Sequence, residues 1–284
     1  PVNTVYRKII QTGRLAEKLG ANILGLGAFT SVVGDAGITI ADRLTVPVTT
    51  GDSYTVALAV QAIRDAARIM DISMKDATVA VVGATGAIGR VCAELLAGEA
   101  AELLLVARDE KKLAELRERL QVRAKSRLVA STKMDVLSRA QLILTVTSAI
   151  HDIIRPEHLL PGSVVCDVAR PRDVSAMVAA ARNDILVIDG GMVDVPGPVN
   201  FHFNFGFPHG KAYACMAETM ALTLEGRFED YTVGKDITVE RVQEINVIAE
   251  RHGFRLSGFR SFEQEVTEEQ IETVRTNARR ARRK

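Results

Sequence analysis

The sequence has few cysteines, almost no excess charge and no long apolar run. Its three cysteines are an odd number without metal-ligand spacing, so a disulfide scaffold is excluded and no metal site is expected. The 36 basic and 35 acidic side chains nearly cancel, and no overall field therefore favours nucleic acid or a membrane. Neither a bilayer-spanning run nor a signal-like segment is present, so we expect a cytoplasmic protein in a reducing compartment.

A glycine-rich turn stands between a strand-like run and a helix-like run. The apolar segment 78–82 precedes the turn, and a segment with helical spacing follows from residue 90. Three glycines at this spacing let the backbone turn tightly, approach a pyrophosphate and pack the helix on its strand. The helix N-terminus then faces the phosphates. This context predicts a dinucleotide site built from Gly83, Thr85, Gly86, Ala87, Ile88 and Gly89.

Strand-like and helix-like patterns alternate after the turn. Such alternation predicts an α/β fold, a Rossmann-type doubly wound parallel sheet with helices on both faces. The predicted strands cover residues 78–82, 102–107, 126–130, 142–146, 163–168 and 185–189. Ligands bind beyond the carboxyl ends of strands in such folds. We therefore expect Thr147 and Ser148, after the fourth strand, and Gly190, after the last, near the nicotinamide. For Thr147 and Ser148 the alternative is an ordinary polar strand end.

The flanking segments predict a second, smaller unit. Helical spacing occurs at 4–19, 53–70, 208–225 and 238–252, while 22–51 is rich in glycine with short β-like pieces. We divide the chain into an N-terminal substrate-side segment (1–75), the nucleotide-binding domain (76–205), C-terminal helices (206–260) and a polar basic tail (261–284). The arginines that crowd this tail are typical of a solvated run that an acidic carrier protein or anionic surface would attract. A single short tail lacks a nucleic-acid recognition fold, so no nucleic acid is expected.

The end of the second strand bears on the choice of cofactor. NAD-binding folds place an acidic residue there for the ribose hydroxyl, whereas this chain has Arg108 followed by Asp109. A guanidinium suits a 2′-phosphate and offers a flat face to adenine. Arg108 therefore favours NADPH, with a solvated arginine and an Asp109 that serves the ribose as the alternatives.

The three cysteines differ in their surroundings. Cys92 lies on an apolar helical stripe and Cys166 within an apolar strand, so both are predicted to be core residues. Cys215 follows Pro208 and Gly210, which predict a helix start. A thiol in an early helical turn, with Lys211 one turn behind, would have a lowered pKa and act as a nucleophile. A small buried hydrophobe is the alternative.

Several motifs, taken in order, resemble the long-chain acyl-acyl-carrier-protein reductases of cyanobacteria. These are the strand and glycine turn at 78–89, Ala-Cys-Met-Ala-Glu at 214–218, the segment 26–31 and Thr-Thr-Gly at 49–51. The resemblance implies NADPH-dependent reduction of a fatty acyl thioester, from acyl-carrier protein or acyl-CoA, to a fatty aldehyde. It also implies that the acyl group is carried on Cys215. The chain departs from this family where Asp52 replaces an asparagine, Tyr54 a histidine and Ala87 an acidic residue.

The remaining candidate residues complete this picture. Glu218 lies one turn beyond Cys215 and would either oppose the lowering of the thiol pKa or handle a proton, and His209 is the favoured histidine for proton transfer. The substrate side is assigned to Thr49, Thr50, Asp52 and Phe29, with Asp52 also a helix N-cap candidate. The apolar residues 24–29 either line an acyl tunnel or form a plain strand and turn.

Two other function classes stay open at this point. One is an NAD(P)-dependent dehydrogenase of a small amino or hydroxy acid, related to the shikimate-type dehydrogenases, in which Cys215 is merely packed. The other is a non-catalytic NADPH-binding module. No transmembrane segment is expected, and a peripheral membrane contact and a homo-oligomer are left open.

Overall fold

The structure is a computed structural model that describes residues 2–27, 29–262 and 264–282, without the side chains of Phe29 and Val32. Contacts divide the chain into two units. The first comprises Pro1–Leu58 and Met192–Ser257, and the second Ala59–Gly191 and Gly258–Lys284. The boundaries predicted from the sequence lie elsewhere, after residues 75, 205 and 260. In the described ranges, no helix has the length and apolar character needed to cross a membrane.

The second unit is built on a six-stranded parallel sheet, which confirms the predicted α/β fold. All six expected strands form, and Thr78–Val82, the first of them in chain order, lies between the second, Glu102–Val106, and the fourth, Leu142–Thr145. The order along the sheet is Arg127–Ser131, Glu102–Val106, Thr78–Val82, Leu142–Thr145, Val164–Asp167 and Leu186–Asp189. The strand order reverses beside Thr78–Val82, the position where ligands bind in doubly wound sheets.

The helices of this unit follow the sequence signals. Asp109 caps the helix Glu110–Gln121, because its carboxylate accepts a 3.1 Å hydrogen bond from the Lys112 N–H. Residues Ala80, Leu104, Ile143 and Val165 of neighbouring strands meet in one buried cluster on one face of the sheet, and the alternate residues on the opposite face are buried as well. The other helical elements are Ala87–Leu96, Ala176–Ala181 and the 3-10 turns Met74–Asp76, Met134–Arg139 and Pro156–His158.

The segment predicted to be a solvated basic tail is an ordered helix, Glu268–Ala281. Thr267 and Gln270 form a capping box at its start, and Ile271 and Ala278 are buried. Near its end, Arg282 Nε donates to the Pro161 carbonyl oxygen at 3.1 Å. Arg279 and Arg280 are exposed on the outer face of this amphipathic helix, whereas Arg275 is half-buried and lies 3.4 Å from Asp71. Arg283 and Lys284 lie outside the described residues.

The first unit combines short strands with longer helices. Leu24–Gly25 pairs in parallel with Val48–Thr49, and Met192–Asp194 is flanked by Lys211–Tyr213 and Arg255–Leu256 in an antiparallel sheet. Its core gathers Tyr54, Leu58, Ala217, Ile245 and Phe254, which come from both ends of the unit's sequence. Its helices are Val2–Lys18, Phe29–Val32, Ile38–Ala41, Ala214–Glu225, Val239–Arg251 and the start of Asp52–Ile69, which continues into the second unit.

The predicted helix at 208–225 is wrong in its first part. Residues 211–213 form a strand, and the helix begins only at Ala214. Residues 211–213 are extended because they pair with Met192–Asp194. Gly210, just before this strand, has a φ of 73°, in the left-handed region. The Lys211 amino group lies 2.6 Å from Asp194 Oδ1. Lys211 is therefore not one helical turn behind Cys215, and its position gives no reason to expect a lowered pKa for the Cys215 thiol.

Candidate functional site

The glycine turn of the second unit has a tight geometry that only glycine permits. Gly83 has a φ of 84°, in the left-handed region that side chains avoid. A Cβ on Gly89 would lie 2.2 Å from the carbonyl oxygen of Gly83 and 3.0 Å from Val146 Cγ2. Gly86 is the N-cap of the helix Ala87–Leu96. The helix therefore starts directly against the strand, as the spacing of the three glycines predicts.

The start of this helix offers hydrogen-bond donors. The backbone N–H groups of Ala87, Ile88 and Gly89 lie in the first turn, where a helix has no internal acceptors for them. Such donors, with the helix dipole behind them, form an anion site. Thr85 is half-buried within the turn itself. The cradle thus fits the pyrophosphate of a dinucleotide.

Arg108 is exposed at the end of the second strand, immediately before the Asp109 cap. The Asp109 carboxylate already accepts from the Lys112 N–H, and that hydrogen bond lowers its pKa. An aspartate engaged as a helix cap is less available to a ribose hydroxyl.

A buried aspartate network organises the loop after the fourth strand. Asp173 is fully buried and accepts from the hydroxyl groups of Thr145 and Thr147 and, at 3.1 Å, from the Thr147 N–H. Asp167 accepts from the Val174 and Ala169 N–H groups, both at 3.0 Å, and burial raises its pKa to about 7. Asp173 is not among the residues predicted from the sequence, because no local pattern indicates that its loop folds back under the strand ends.

The other two residues expected near the nicotinamide lie at the same carboxyl edge. Ser148 is exposed in the loop after the fourth strand. Gly190 is buried after the last strand, and its N–H donates to the Asp167 carbonyl oxygen at 3.0 Å. A Cβ on Gly190 would lie 2.9 Å from Cys166 Sγ, so this position has no room for a side chain.

Cys215 occupies the first turn of the helix Ala214–Glu225 in the first unit and is half-buried. Glycines of the N-terminal segment pack directly against it. A Cβ on Gly51 would lie 2.2 Å from Cys215 Cα, and a Cβ on Gly27 would lie 3.8 Å from its Sγ. Tyr213, the N-cap, accepts no hydrogen bond from the helix through its side chain. The first-turn N–H groups beside the thiol are therefore not capped by Tyr213.

Glu218 anchors this arrangement from one turn further along the helix. It is fully buried, and its carboxylate accepts from the hydroxyl groups of Thr49 and Thr232, the latter at 2.8 Å. The other carboxylate oxygen accepts from the Tyr54 N–H at 2.8 Å. Burial raises the pKa of Glu218. The Thr-Thr-Gly motif and the Cys-containing motif, separated in sequence, are thus joined by one carboxylate.

Asp52 is predicted from the sequence as a helix N-cap, but in the structure it is the first residue of the helix Asp52–Ile69. The Gly51 carbonyl oxygen accepts the first helical hydrogen bond, from the Thr55 N–H at 3.2 Å. Glu218 takes the place of the capping side chain through its bond to Tyr54. Burial, and behind it the negative charge of Glu218, raise the pKa of Asp52 to about 7.

The structure places the remaining candidates as follows. Thr50 is fully buried, and its N–H donates to the Thr232 carbonyl oxygen at 2.8 Å. His209 is exposed in the turn before the strand Lys211–Tyr213. Phe29 begins the helix Phe29–Val32, and its side chain lies outside the described residues.

The other two cysteines are fully buried, as predicted. Cys92 and Cys166 have no exposed surface, and burial raises the pKa of both thiols, to about 12 for Cys92. These thiols are unreactive near neutral pH. In the described part of the chain, no group of three or more His, Cys, Asp or Glu side chains could hold a metal ion.

Two characterised proteins are similar to most of this chain. The aminotransferase PigE of a Serratia species is 35% identical over 257 residues, which cover 89% of this chain but 30% of that protein. The chain thus spans less than a third of its length. The long-chain acyl-acyl-carrier-protein reductase of Synechococcus elongatus is 31% identical over 267 residues, which cover 89% of this chain and 76% of the reductase.

The nucleotide-binding unit has a family match of its own. The family model described as shikimate / quinate 5-dehydrogenase matches residues 64–189, which contain the glycine turn and all six strands of the parallel sheet. The unit is therefore an NAD(P)-binding domain of the oxidoreductase type. Among solved structures, the glutamyl-tRNA reductase of Methanopyrus kandleri is 17% identical, with a TM-score of 0.37 over 98% of this chain and 55% of that one.

Proposed function

Since the chain belongs to the family of the long-chain acyl-acyl-carrier-protein reductases, we propose that it reduces a fatty acyl thioester to a fatty aldehyde with NADPH. The acyl donor is acyl-carrier protein or acyl-CoA, and the acyl group passes through a thioester on Cys215. The named activity of the Synechococcus relative supports this reaction. The residues around Cys215 support the covalent step.

One observation carries the proposal: a half-buried cysteine stands at a helix N-terminus that the N-cap side chain leaves open. A helix N-terminus favours negative charge and so stabilises a thiolate. In this proposal, backbone N–H groups in the first turn of the helix would stabilise the oxyanion that forms when the thiolate attacks a carbonyl. The two buried cysteines have neither feature.

The second unit would hold the cofactor. The N–H groups at 87–89 would bind the pyrophosphate, and Arg108 would bind the 2′-phosphate that distinguishes NADPH from NADH. Asp173 holds Thr147 through two hydrogen bonds and so acts as a positioning residue for the loop beyond the fourth strand. When bound, NADPH supplies the hydride that converts the acyl thioester to the oxidation level of an aldehyde.

The proposed covalent steps form and then break one C–S bond at Cys215. Its thiolate forms a C–S bond to the acyl carbon while the C–S bond to the carrier breaks, and the carrier leaves as a thiol after taking a proton. After reduction, the hemithioacetal loses its hydroxyl proton and its C–S bond breaks. Aldehyde departs, and the Cys215 thiolate is regenerated.

The two carboxyl groups near Cys215 have different roles in this proposal. Glu218 is enclosed by three hydrogen bonds, so it acts as a positioning residue that fixes the Cys215 helix against the turn at 49–54. Asp52 directly follows Gly51, which packs against Cys215, and its raised pKa would let it hold a proton near neutral pH. We assign proton transfer to Asp52 ahead of His209, which is exposed in its turn.

A turnover assay tests the proposal. Purified protein with palmitoyl-CoA and NADPH should oxidise NADPH and form hexadecanal in equal amounts, and Cys215→Ala should form none. The match of the second unit to the shikimate / quinate 5-dehydrogenase model favours one competing function, oxidation of a small hydroxy acid. NADP-dependent oxidation of shikimate or quinate that survives Cys215→Ala, without aldehyde from any acyl thioester, would overturn the reductase assignment.

A further inference from the structure

A row of aromatic rings in the first unit has no role in the reaction described above. Phenylalanine occupies every second position of the segment Phe201–Phe207, which contains no charged residue. Asn200 and Asn204 each accept a 2.8 Å hydrogen bond from the backbone N–H two residues later. These turns fold the segment so that the alternate rings collect together.

The rings touch one another in sequence and end at the Cys215 helix. Phe203 contacts Phe205 at 4.8 Å between ring centroids, and Phe205 stacks on Phe207 at 5.5 Å with planes 7° apart. Phe207 meets Tyr213 edge-on at 5.2 Å. Tyr213 is the N-cap residue of the helix that carries Cys215 in its first turn. Phe201 joins from the side, 5.8 Å from Phe205.

Exposure falls along this aromatic row. The side chain of Phe203 is 69% exposed and that of Phe205 is 44% exposed, whereas Phe207 and Tyr213 are half-buried. Single exposed apolar residues are ordinary on a protein surface, but a contiguous apolar patch marks a binding site. A patch that runs from solvent to the N-terminus of a particular helix indicates a ligand that follows the same path.

We propose that the aromatic row binds the hydrocarbon chain of the acyl group carried on Cys215, which deepens the proposed function and depends on it. A saturated chain gains from contact with ring faces and edges and needs no polar partner. The absence of charge in Phe201–Phe207 fits a hydrocarbon and not the acidic surface of a carrier protein. The row thus selects long acyl groups over short ones, because a four-carbon chain does not extend along it.

The test compares kcat/KM for dodecanoyl-CoA and butanoyl-CoA in the double variant Phe203→Ser, Phe205→Ser. Removing two apolar contacts should lower the twelve-to-four-carbon ratio of kcat/KM about tenfold or more. Phe228→Ser is the matched control, because Phe228 is also 44% exposed and lies outside the row. Thermal melting checks that the variants fold, and both serine variants should melt within a few degrees of the wild type.

The outcomes separate this inference from the proposed function. If no acyl thioester gives aldehyde in the wild type, the proposed function fails. If aldehyde forms but the double variant keeps the wild-type chain-length ratio, the aromatic row is not the acyl site. A change in oligomeric mass or in binding to anionic vesicles, without a change in that ratio, would assign the row to a protein or membrane contact and would overturn the inference.

Discussion

Replacing Gly51 with alanine tests the contact that holds the candidate nucleophile in place. Gly51 has a φ of 77°, and the new Cβ would lie 2.2 Å from Cys215 Cα and 2.5 Å from the Cys215 carbonyl oxygen. Carbon atoms prefer separations of about 3.5–4.0 Å, so backbone must move. Left-handed backbone costs alanine about 1–2 kcal/mol, and overpacking adds about 1–3 kcal/mol.

Gly20 provides the matched control. It also has a left-handed φ, 82°, but no atom lies within 4 Å of a Cβ placed there. Gly20→Ala should therefore cost only the conformational term, about 1 kcal/mol, whereas Gly51→Ala should cost about 3 kcal/mol or more. Urea denaturation followed by circular dichroism measures both, and the difference between the variants isolates the collision with Cys215.

Alkylation supplies a second measurement on the same variants. Cys92 and Cys166 are fully buried, so iodoacetamide at neutral pH should modify Cys215 alone in the folded protein. Gly20→Ala should keep the wild-type alkylation rate, whereas Gly51→Ala should change it by about tenfold because the helix N-terminus is displaced. Equal destabilisation and equal alkylation rates in the two variants would refute the packing of Gly51 against Cys215.

Three further predictions each concern a single residue. The pKa of Asp52 is about 7 against an ordinary 3.8, so ionisation of Asp52 destabilises the folded state as the pH rises from about 4 through 7. The full shift corresponds to about 4 kcal/mol, and the partial exposure of Asp52 reduces the expected effect to about 1–2 kcal/mol. In urea titrations, Asp52→Asn should therefore raise the free energy of unfolding by about 1–2 kcal/mol at pH 8 and leave it unchanged near pH 4. Arg108→Ala should lower the ratio of NADPH affinity to NADH affinity about tenfold, as measured by fluorescence titration. An unchanged ratio would show that Arg108 does not contact the cofactor. Gly89→Ala should abolish dinucleotide binding in the same titration. Gly98→Ala should bind the dinucleotide normally, because no atom lies within 4 Å of a Cβ placed on Gly98.

The parallel sheet and its glycine turn could be predicted from the sequence because their signals are local. Each strand is a short apolar run, and the glycines follow Thr78–Val82 directly. The C-terminal helix is not predicted because arginines crowd the end of the sequence, while the buried residues of the helix, Ile271 and Ala278, are two turns apart. The helix boundary at Ala214 depends on pairing with Met192–Asp194, which no local pattern reveals.

The residues around Cys215 were only partly predictable. The Thr-Thr-Gly and Ala-Cys-Met-Ala-Glu motifs were each recognised, but their connection through the Glu218 carboxylate spans residues far apart in sequence. Glu218 was expected to handle a proton because it lies one turn from the thiol. Burial and three hydrogen bonds give it instead the surroundings of a structural anchor. Such enclosure is a tertiary property that spacing alone does not encode.

Intact-protein mass spectrometry of a single turnover tests the central claim, an acyl group carried on Cys215. Incubation with dodecanoyl-CoA without NADPH should add the mass of one dodecanoyl group to the wild type and none to Cys215→Ala. Addition of NADPH should then remove that mass and release dodecanal in equal amount. An adduct that persists in Cys215→Ala, or NADPH-dependent aldehyde from a wild type that never gains mass, would contradict the account.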